Sequence, residues 1–376
     1  MKITTAGESH GKALIAVIEG LPSGLTLDME EVDAYLALRQ SGYGRGGRQK
    51  IERDRAEILS GVRNRVTLGS PVALAVYNHD YENWAQYMAP EGCDISAKKL
   101  TKVRPGHADL SGVKKFDTSD ARNVLERASA RETAVRTAAG AICRQYLKAF
   151  GIEITGYVRS VLSVKDPAEY PFETIAACRL PELFMMDRAL QDGAVALIDR
   201  VRAEGDTCGG VVELRVKGLK SGFGSPMTYA EKLDARICGA MMSVQAVKGV
   251  EVGLGFGAAE RRGSEVHDEI YAANGAYTRK TNRAGGIEGG MSNGEELVFR
   301  AAMKPIPTLM RGLHTVDIET GEDARAAAER SDVTAVLALE VILESVIASE
   351  LAAVVSERLG GDHMREAVER YGRLPQ

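Results

Sequence analysis

The order of strand-like and helix-like segments constrains the fold of this chain more than any other feature of its sequence. Apolar runs rich in β-branched residues occupy Ala13–Glu19, Val72–Tyr77, 210–216 and 296–302, joined by Gly-rich connections. Helices are marked by their ends. Asp28 and Glu31 form a capping-box pattern ahead of 32–38, and Ser129 and Glu132 form another ahead of an Ala-rich stretch, 133–150, that stops at Gly151. A third long helix is predicted to start near Asp332 and to run through Val336–Leu359 to Gly360 and Gly361. Strands grouped without a regular βαβ rhythm predict an α+β fold, not a doubly wound parallel sheet. No repeat or Pro/Ser-rich linker divides the chain, so residues 1–376 are expected to form a single domain.

Composition removes several classes of function. The segment after Met1 lacks the apolar core of a secretory signal, and no stretch approaches the roughly 20 apolar residues that span a bilayer, so a cytoplasmic protein without a membrane partner is expected. A net charge of -4 and 5% aromatic residues argue against nucleic acid as a partner. Cys93, Cys143, Cys178, Cys208 and Cys238 stand singly, without C-x-x-C or His at ligand spacing, which predicts reduced thiols and no metal.

Within this acidic chain, residues 36–51 hold Arg39, Arg45, Arg48 and Lys50 with no acid before Ile51, and Gly42, Gly44, Gly46 and Gly47 are interleaved. Guanidinium forks bind phosphate and carboxylate in pairs of hydrogen bonds, and glycines let backbone approach an anion, although a solvated basic loop has the same composition. Gly42-x-Gly44-x-x-Gly47 follows a helix, so it is not a dinucleotide fingerprint, which must follow a strand. Gly253-x-Gly255-x-x-Ala258 follows a possible strand but opens no apolar helix. Arg127, Ser129 and Arg131 stand at a predicted helix start, where free N–H groups favour an anion; a plain capped surface helix fits the same residues.

His10, in Gly7-Glu-Ser-His-Gly11, and His107, in Arg104-Pro-Gly-His-Ala-Asp109, lie in polar Gly-containing turns and are acid/base candidates. His79, His267, His314 and His363 lack such settings. Asp332 is by default a helix N-cap. The glycine-dense segment 285–294 and the Pro-stiffened 304–308 suggest the walls of a pocket.

Taken in order, the segments 7–11, 39–48, 104–109, 127–134, 242–252, 285–294, 304–308 and 330–332 resemble those of the chorismate synthase family. The resemblance implies a β-α-β sandwich with helices packed between two antiparallel sheets, assembled as a homotetramer. It also implies a lyase of the shikimate pathway, which removes phosphate from 5-enolpyruvylshikimate 3-phosphate by 1,4-elimination, with reduced FMN as cofactor. By position, FMN would meet Arg127, Ala128, Ser129, Gln245, Ala246, Gly289, Lys304, Pro305, Ile306, Pro307, Thr308 and Arg330. The substrate's anions would meet Arg39, Arg45, Arg48, Arg104 and Arg131, with Arg39 and Arg45 also serving NADPH as a source of reductant. His10 would protonate the leaving phosphate, His107 would lie against the flavin, and Asp332 would move the proton from C6.

The chain departs from the family pattern at Ala6, Ala128, Gln245, Ser331 and Val333, where Phe, Ser, Asn, His and Pro are usual. A binding protein for a phosphorylated metabolite would use the same arginines without the two histidines.

Overall fold

A computed structural model describes residues 1–46, 53–273, 276–326 and 332–375. Two antiparallel sheets form its outer layers. The first comprises β1 (Lys2–Ala6), β2 (Ala13–Glu19), β3 (Glu57–Ser60) and β4 (Val72–Tyr77), in the spatial order β1-β2-β4-β3. Alternation along β2 turns Leu14, Ala16 and Ile18 inward, where they meet Val72, Leu74 and Val76 of β4.

The second sheet comprises β5 (Glu153–Val161), β6 (Val164–Lys165), β7 (Gly210–Lys217), β8 (Val247–Val252) and β9 (Leu297–Met303), in the order β8-β9-β7-β5-β6. Its inner face carries Val212, Leu214, Val216, Leu297 and Phe299, all fully buried.

Between the sheets lie α5 (Thr133–Lys148) and α8 (Val336–Leu359), preceded in the chain by α1 (Met29–Gln40), α2 (Tyr81–Met88), α3 (Asp109–Lys115) and α4 (Arg122–Ala128), with α6 (Arg188–Ala203) and α7 (Leu233–Met242) between them. Helix α5 packs on β2 and β4, α8 packs on β5 and β7, and the two helices pack on each other. The expected sandwich is therefore present. Gly140 of α5 makes the helix contact close, since a Cβ there would sit 2.3 Å from the Ser345 carbonyl of α8. Helix α8 has no polar stripe because it is buried all round, from Val336 to Ala348 without interruption.

Charged groups in that layer form a paired cluster. Arg179 Nη1 donates to both Glu340 and Glu344 at 2.9 Å, and Arg144 Nη1 reaches Glu344 at 3.1 Å. Burial and the adjacent Glu344 push the Glu340 carboxyl well above its usual range.

Of the strands in the two sheets, sequence reading missed β1, β3, β5 and β6, and it placed three helix starts imperfectly. Asp28 caps α1 through Glu30 N, not through a box with Glu31. Ser129 caps a short 3₁₀ turn, Ala130–Glu132, by accepting from Arg131 N, while Glu132 turns to Thr5 Oγ1. Asp332 is no cap at all. Helix α8 begins four residues later, its N-cap is Ala335, and Thr334 Oγ1 accepts from Val336 N. The carboxylate of Asp332 is drawn instead to a guanidinium, a stronger partner than a neutral helix end.

Candidate active site

The loop at 7–11 leaves β1 with Gly7 at φ 108°, a conformation costly for any residue with a Cβ; one there would lie 2.4 Å from the Ala13 carbonyl. The loop is then fixed from two sides. Asn78 Nδ2, just after β4, donates to the carbonyls of Glu8 and Gly11, and Ser9 N donates to the carbonyl of Glu126 in α4. His10 is thereby brought to Glu126, 116 residues away: its Nδ1 lies 2.9 and 3.0 Å from the two carboxylate oxygens, and its backbone N donates at 2.9 Å. Trp84 of α2 stacks on the imidazole with ring centroids 3.9 Å apart. Burial would raise the Glu126 carboxyl, but the hydrogen bonds and charge of His10, with Arg122, outweigh it and hold the group below its usual range.

The second histidine is built the same way within one turn. His107 Nδ1 meets Asp109 Oδ1 at 2.5 Å, and Arg104 Nε donates to Asp109 Oδ2 at 2.9 Å. Despite its burial Asp109 is held well below the usual carboxylate range, because His107 and Arg104 both hydrogen-bond its ionised form. Asp109 opens α3 and Glu126 lies in α4, and these helices touch at Gly112, where an added Cβ would fall 2.2 Å from Val124. Both carboxylate-backed histidines therefore hang on one helix pair.

The arginines gather on two aspartates. Arg39 Nη1 and Arg131 Nη1 share Asp54 Oδ2 at 3.4 and 2.6 Å, with Arg39 Nε on Thr133 Oγ1 and Arg131 Nε on Asn78 Oδ1. Arg45 Nη1 pairs with Asp332 at 2.7 Å, and Gly46 N donates to the same carboxylate. Burial, followed by the like charges of Arg131 and Arg45, pushes the Arg39 guanidinium below its ordinary value against the opposing pull of Asp54 and Asp332. Among the described residues, the ion pairs set three arginines against two aspartates, an arrangement suited to an added anion.

Segment 304–308 closes on the His107 turn. Lys304 N donates to the Ala246 carbonyl, Lys304 Nζ donates to the Gly106 carbonyl at 2.9 Å, and Arg104 Nη1 reaches Thr308 Oγ1 at 3.4 Å. Burial and the nearby Lys248 push the Lys304 ammonium below its ordinary range. Thr207 Oγ1 holds the Ile306 carbonyl between Pro305 and Pro307.

Gln245 precedes Ala246, a non-glycine at φ 72°. Its Nε2 lies 3.5 Å from Glu132, and its buried Oε1 has no hydrogen-bond partner among the described residues. Arg127 clamps Thr5 and the Gly7 carbonyl, next to Ala128 and Ser129, and Ser129 Oγ lies 3.2 Å from Ser9 Oγ. Gly289 lies in the turn of a small hairpin, where the neighbouring Gly290 carbonyl accepts from Leu233 N. Arg48 and Arg330 lie outside the described residues.

Sequence reasoning did not single out Glu126, Asp54, Asn78 or Trp84. Only Asp109, two residues from His107, offered a local signal. Among the described residues no group of three or more His, Cys, Asp or Glu could hold a metal.

Clustered guanidiniums and two carboxylate-paired imidazoles are the chemistry that would suit a small multiply charged anion and proton transfer. The family of the chain follows from likeness to known proteins. The family model described as chorismate synthase matches residues 1–355. Chorismate synthases of Trichlorobacter lovleyi and Caldicellulosiruptor bescii are 53% and 49% identical, over 97% and 100% of this chain and 96% and 99% of theirs. A solved structure titled as a chorismate synthase crystal structure superposes with a TM-score of 0.78 at 39% identity, covering 99% of this chain and 96% of that one. The chain belongs to the chorismate synthase family, lyases that form chorismate for aromatic amino acid biosynthesis.

Proposed function

We propose that this chain forms chorismate from 5-enolpyruvylshikimate 3-phosphate with reduced FMN bound beside Lys304, and that Arg39, Arg45 and Arg131 hold the substrate's anions. The observation that carries the reading is the convergence of those three arginines on Asp54 and Asp332 next to carboxylate-backed His10. The residues fit a flavin. Gln245 Oε1 is a buried acceptor that lacks a donor among the described residues, and Lys304 beside Lys248 is a cation pair that an anionic cofactor would relieve. Ala128 offers only backbone where a serine is usual, and Gly289 leaves open space. The 304–308 segment, Arg127, Ser129 and Ala246, with Gly289 and Arg330, complete the set.

When bound, reduced flavin supplies electron density that eases loss of phosphate and a place for the C6 hydrogen, so no net redox occurs. The protein's own residues do the rest. The C3–O bond breaks with its electron pair leaving on phosphate, and His10 donates a proton to that oxygen, a contribution of roughly 10²–10⁴ in rate. Arg39, Arg45, Arg131 and Arg48, with Arg104, fix the anions so that the ring cannot turn. Asp332, aligned by Arg45 and Gly46 N, would help move the C6 proton on. His107, locked by Asp109 and Arg104, would lie against the flavin and stabilise its anionic reduced form.

The same reading places the enzyme in the cytoplasm as a single-domain subunit of a homotetramer, with NADPH as the external source of reductant. No helix among the described residues is long and apolar enough to cross a membrane, and exposed Tyr229, Phe256 and Tyr277 offer apolar surface for contacts between copies.

The test is an anaerobic assay with chemically reduced FMN, following chorismate and phosphate. Equimolar release of both with reduced flavin and none with oxidised flavin is the expected result. Binding of flavin and substrate without release would reduce the site to a binding function.

A further inference from the structure

The geometry points to Glu126 as the positioning residue that sets the tautomer and ring orientation of His10, so that Nδ1–H faces the carboxylate and Nε2 faces the substrate. The proposal rests on the reading of His10 as proton donor.

Glu126 meets the criteria for such a role on geometry. Its side chain is 2% exposed, against 17% for His10, so the pair is buried on the glutamate side and opens toward the site on the histidine side. Three donors converge on its two oxygens: His10 N, His10 Nδ1 and Arg122 Nη1, all at 2.9–3.0 Å. A carboxylate has acceptor capacity for all three, whereas an amide in its place would turn a donor toward one of them. Because Glu126 takes His10's backbone N as well as its ring, it holds the base of the side chain and its edge together.

The ring's face is fixed separately. Trp84 stacks on it, Trp84 Nε1 donates to Asp80 Oδ2 at 2.9 Å, and Arg122 lies 5.0 Å over the Trp84 ring while also pairing with Glu126. Edge and face are thus held by one connected set of groups, Glu126, Arg122 and Trp84. A proton donor held this way keeps Nδ1–H in place while Nε2 gives up and regains its proton, the arrangement by which a buried carboxylate orients a catalytic histidine in hydrolases. Glu126 itself has no proton to give, since it stays ionised.

The experiment compares Glu126→Ala, Glu126→Gln, His10→Ala and the double variants in the full chain with reduced FMN. Steady-state kinetics are read together with ¹⁵N shifts of the His10 ring, assigned by the signals that vanish in His10→Ala. The expected result for Glu126→Ala is a fall in kcat on the order of 10²-fold with KM little changed, and a His10 ring that has lost its Nδ1–H preference. Adding Glu126→Ala to His10→Ala should slow the enzyme no further, because a residue that acts through His10 has nothing left to act on. If Glu126→Ala does not fold, Glu126→Gln decides: a fall of about tenfold with altered ring shifts supports the role.

Unchanged ring shifts and kcat in a folded Glu126 variant, beside a slow His10→Ala, overturn the role of Glu126 alone. Additive losses in the double variant overturn it too. Normal turnover of His10→Ala overturns the reading of His10 first, and the assignment of Glu126 to the reaction with it.

Discussion

At the scale of single residues, the site is governed by where buried carboxylates find their partners. Asp109 is the sharpest case: its side chain is fully buried, yet Arg104 and His107 keep it ionised well below the usual range. A carboxyl of depressed folded pKa adds stability that is complete above the unfolded value, near 3.9 for aspartate, and is lost as pH falls below it toward the folded value. Wild-type stability should therefore drop steeply from about pH 5 downward. In Asp109→Asn the neutral-pH stability should be lower and that slope shallower, so the two curves converge in acid. Urea midpoints between pH 3 and 7 check this, and parallel curves would show that Asp109 does not carry the effect. Asp332 teaches the same lesson from sequence: a carboxylate before a helix looks like a cap, but a nearby guanidinium took it.

At the scale of elements, the contact between α5 and α8 decides how far apart the two sheets stand. Gly140 lets the helices approach until an added Cβ would overlap the Ser345 carbonyl and Cβ, atoms that the α8 backbone fixes in place. Gly140→Val should therefore cost more than its better helix propensity returns, about 1–3 kcal/mol. Denaturant unfolding measures it, and a neutral result would mean that the layers can part without loss. The start of α5 also shows how a local pattern can mislead. Ser129 and Glu132 have the spacing of a capping box, but Glu132 accepts from Thr5 of β1, a strand the sequence did not reveal. Strand β1 was missed because its exposure pattern alternates between half-buried and exposed, which leaves no apolar run to read.

At the scale of the whole molecule, an acidic chain gathers three largely buried arginines on two aspartates. Among the described residues Arg39, Arg45 and Arg131 pair with Asp54 and Asp332, and burial makes their mutual repulsion count. An anion that binds there should stabilise the fold by mass action, about 2.7 kcal/mol at 100 times its dissociation constant. Inorganic phosphate should raise the Tm of the wild type, and Arg39→Ala should abolish most of that rise while leaving phosphate-free stability measurable by the same scan. A wild-type Tm indifferent to phosphate would remove the anion site.

The sequence by itself determined the strands Ala13–Glu19 and Val72–Tyr77, the α+β class, the two histidines in polar turns and the cluster of arginines, because each is written in neighbouring residues: apolar β-branched runs, glycine-containing turns, local charge. The order of its motifs carried the family. Tertiary structure alone decided that α8 is enclosed on every side, that Asp54 joins Arg39 to Arg131, and that Glu126 meets His10 across 116 positions. Such pairings depend on how α4, β4 and the loop after β1 pack, and a single carboxylate far along the chain bears no mark of the partner it will meet.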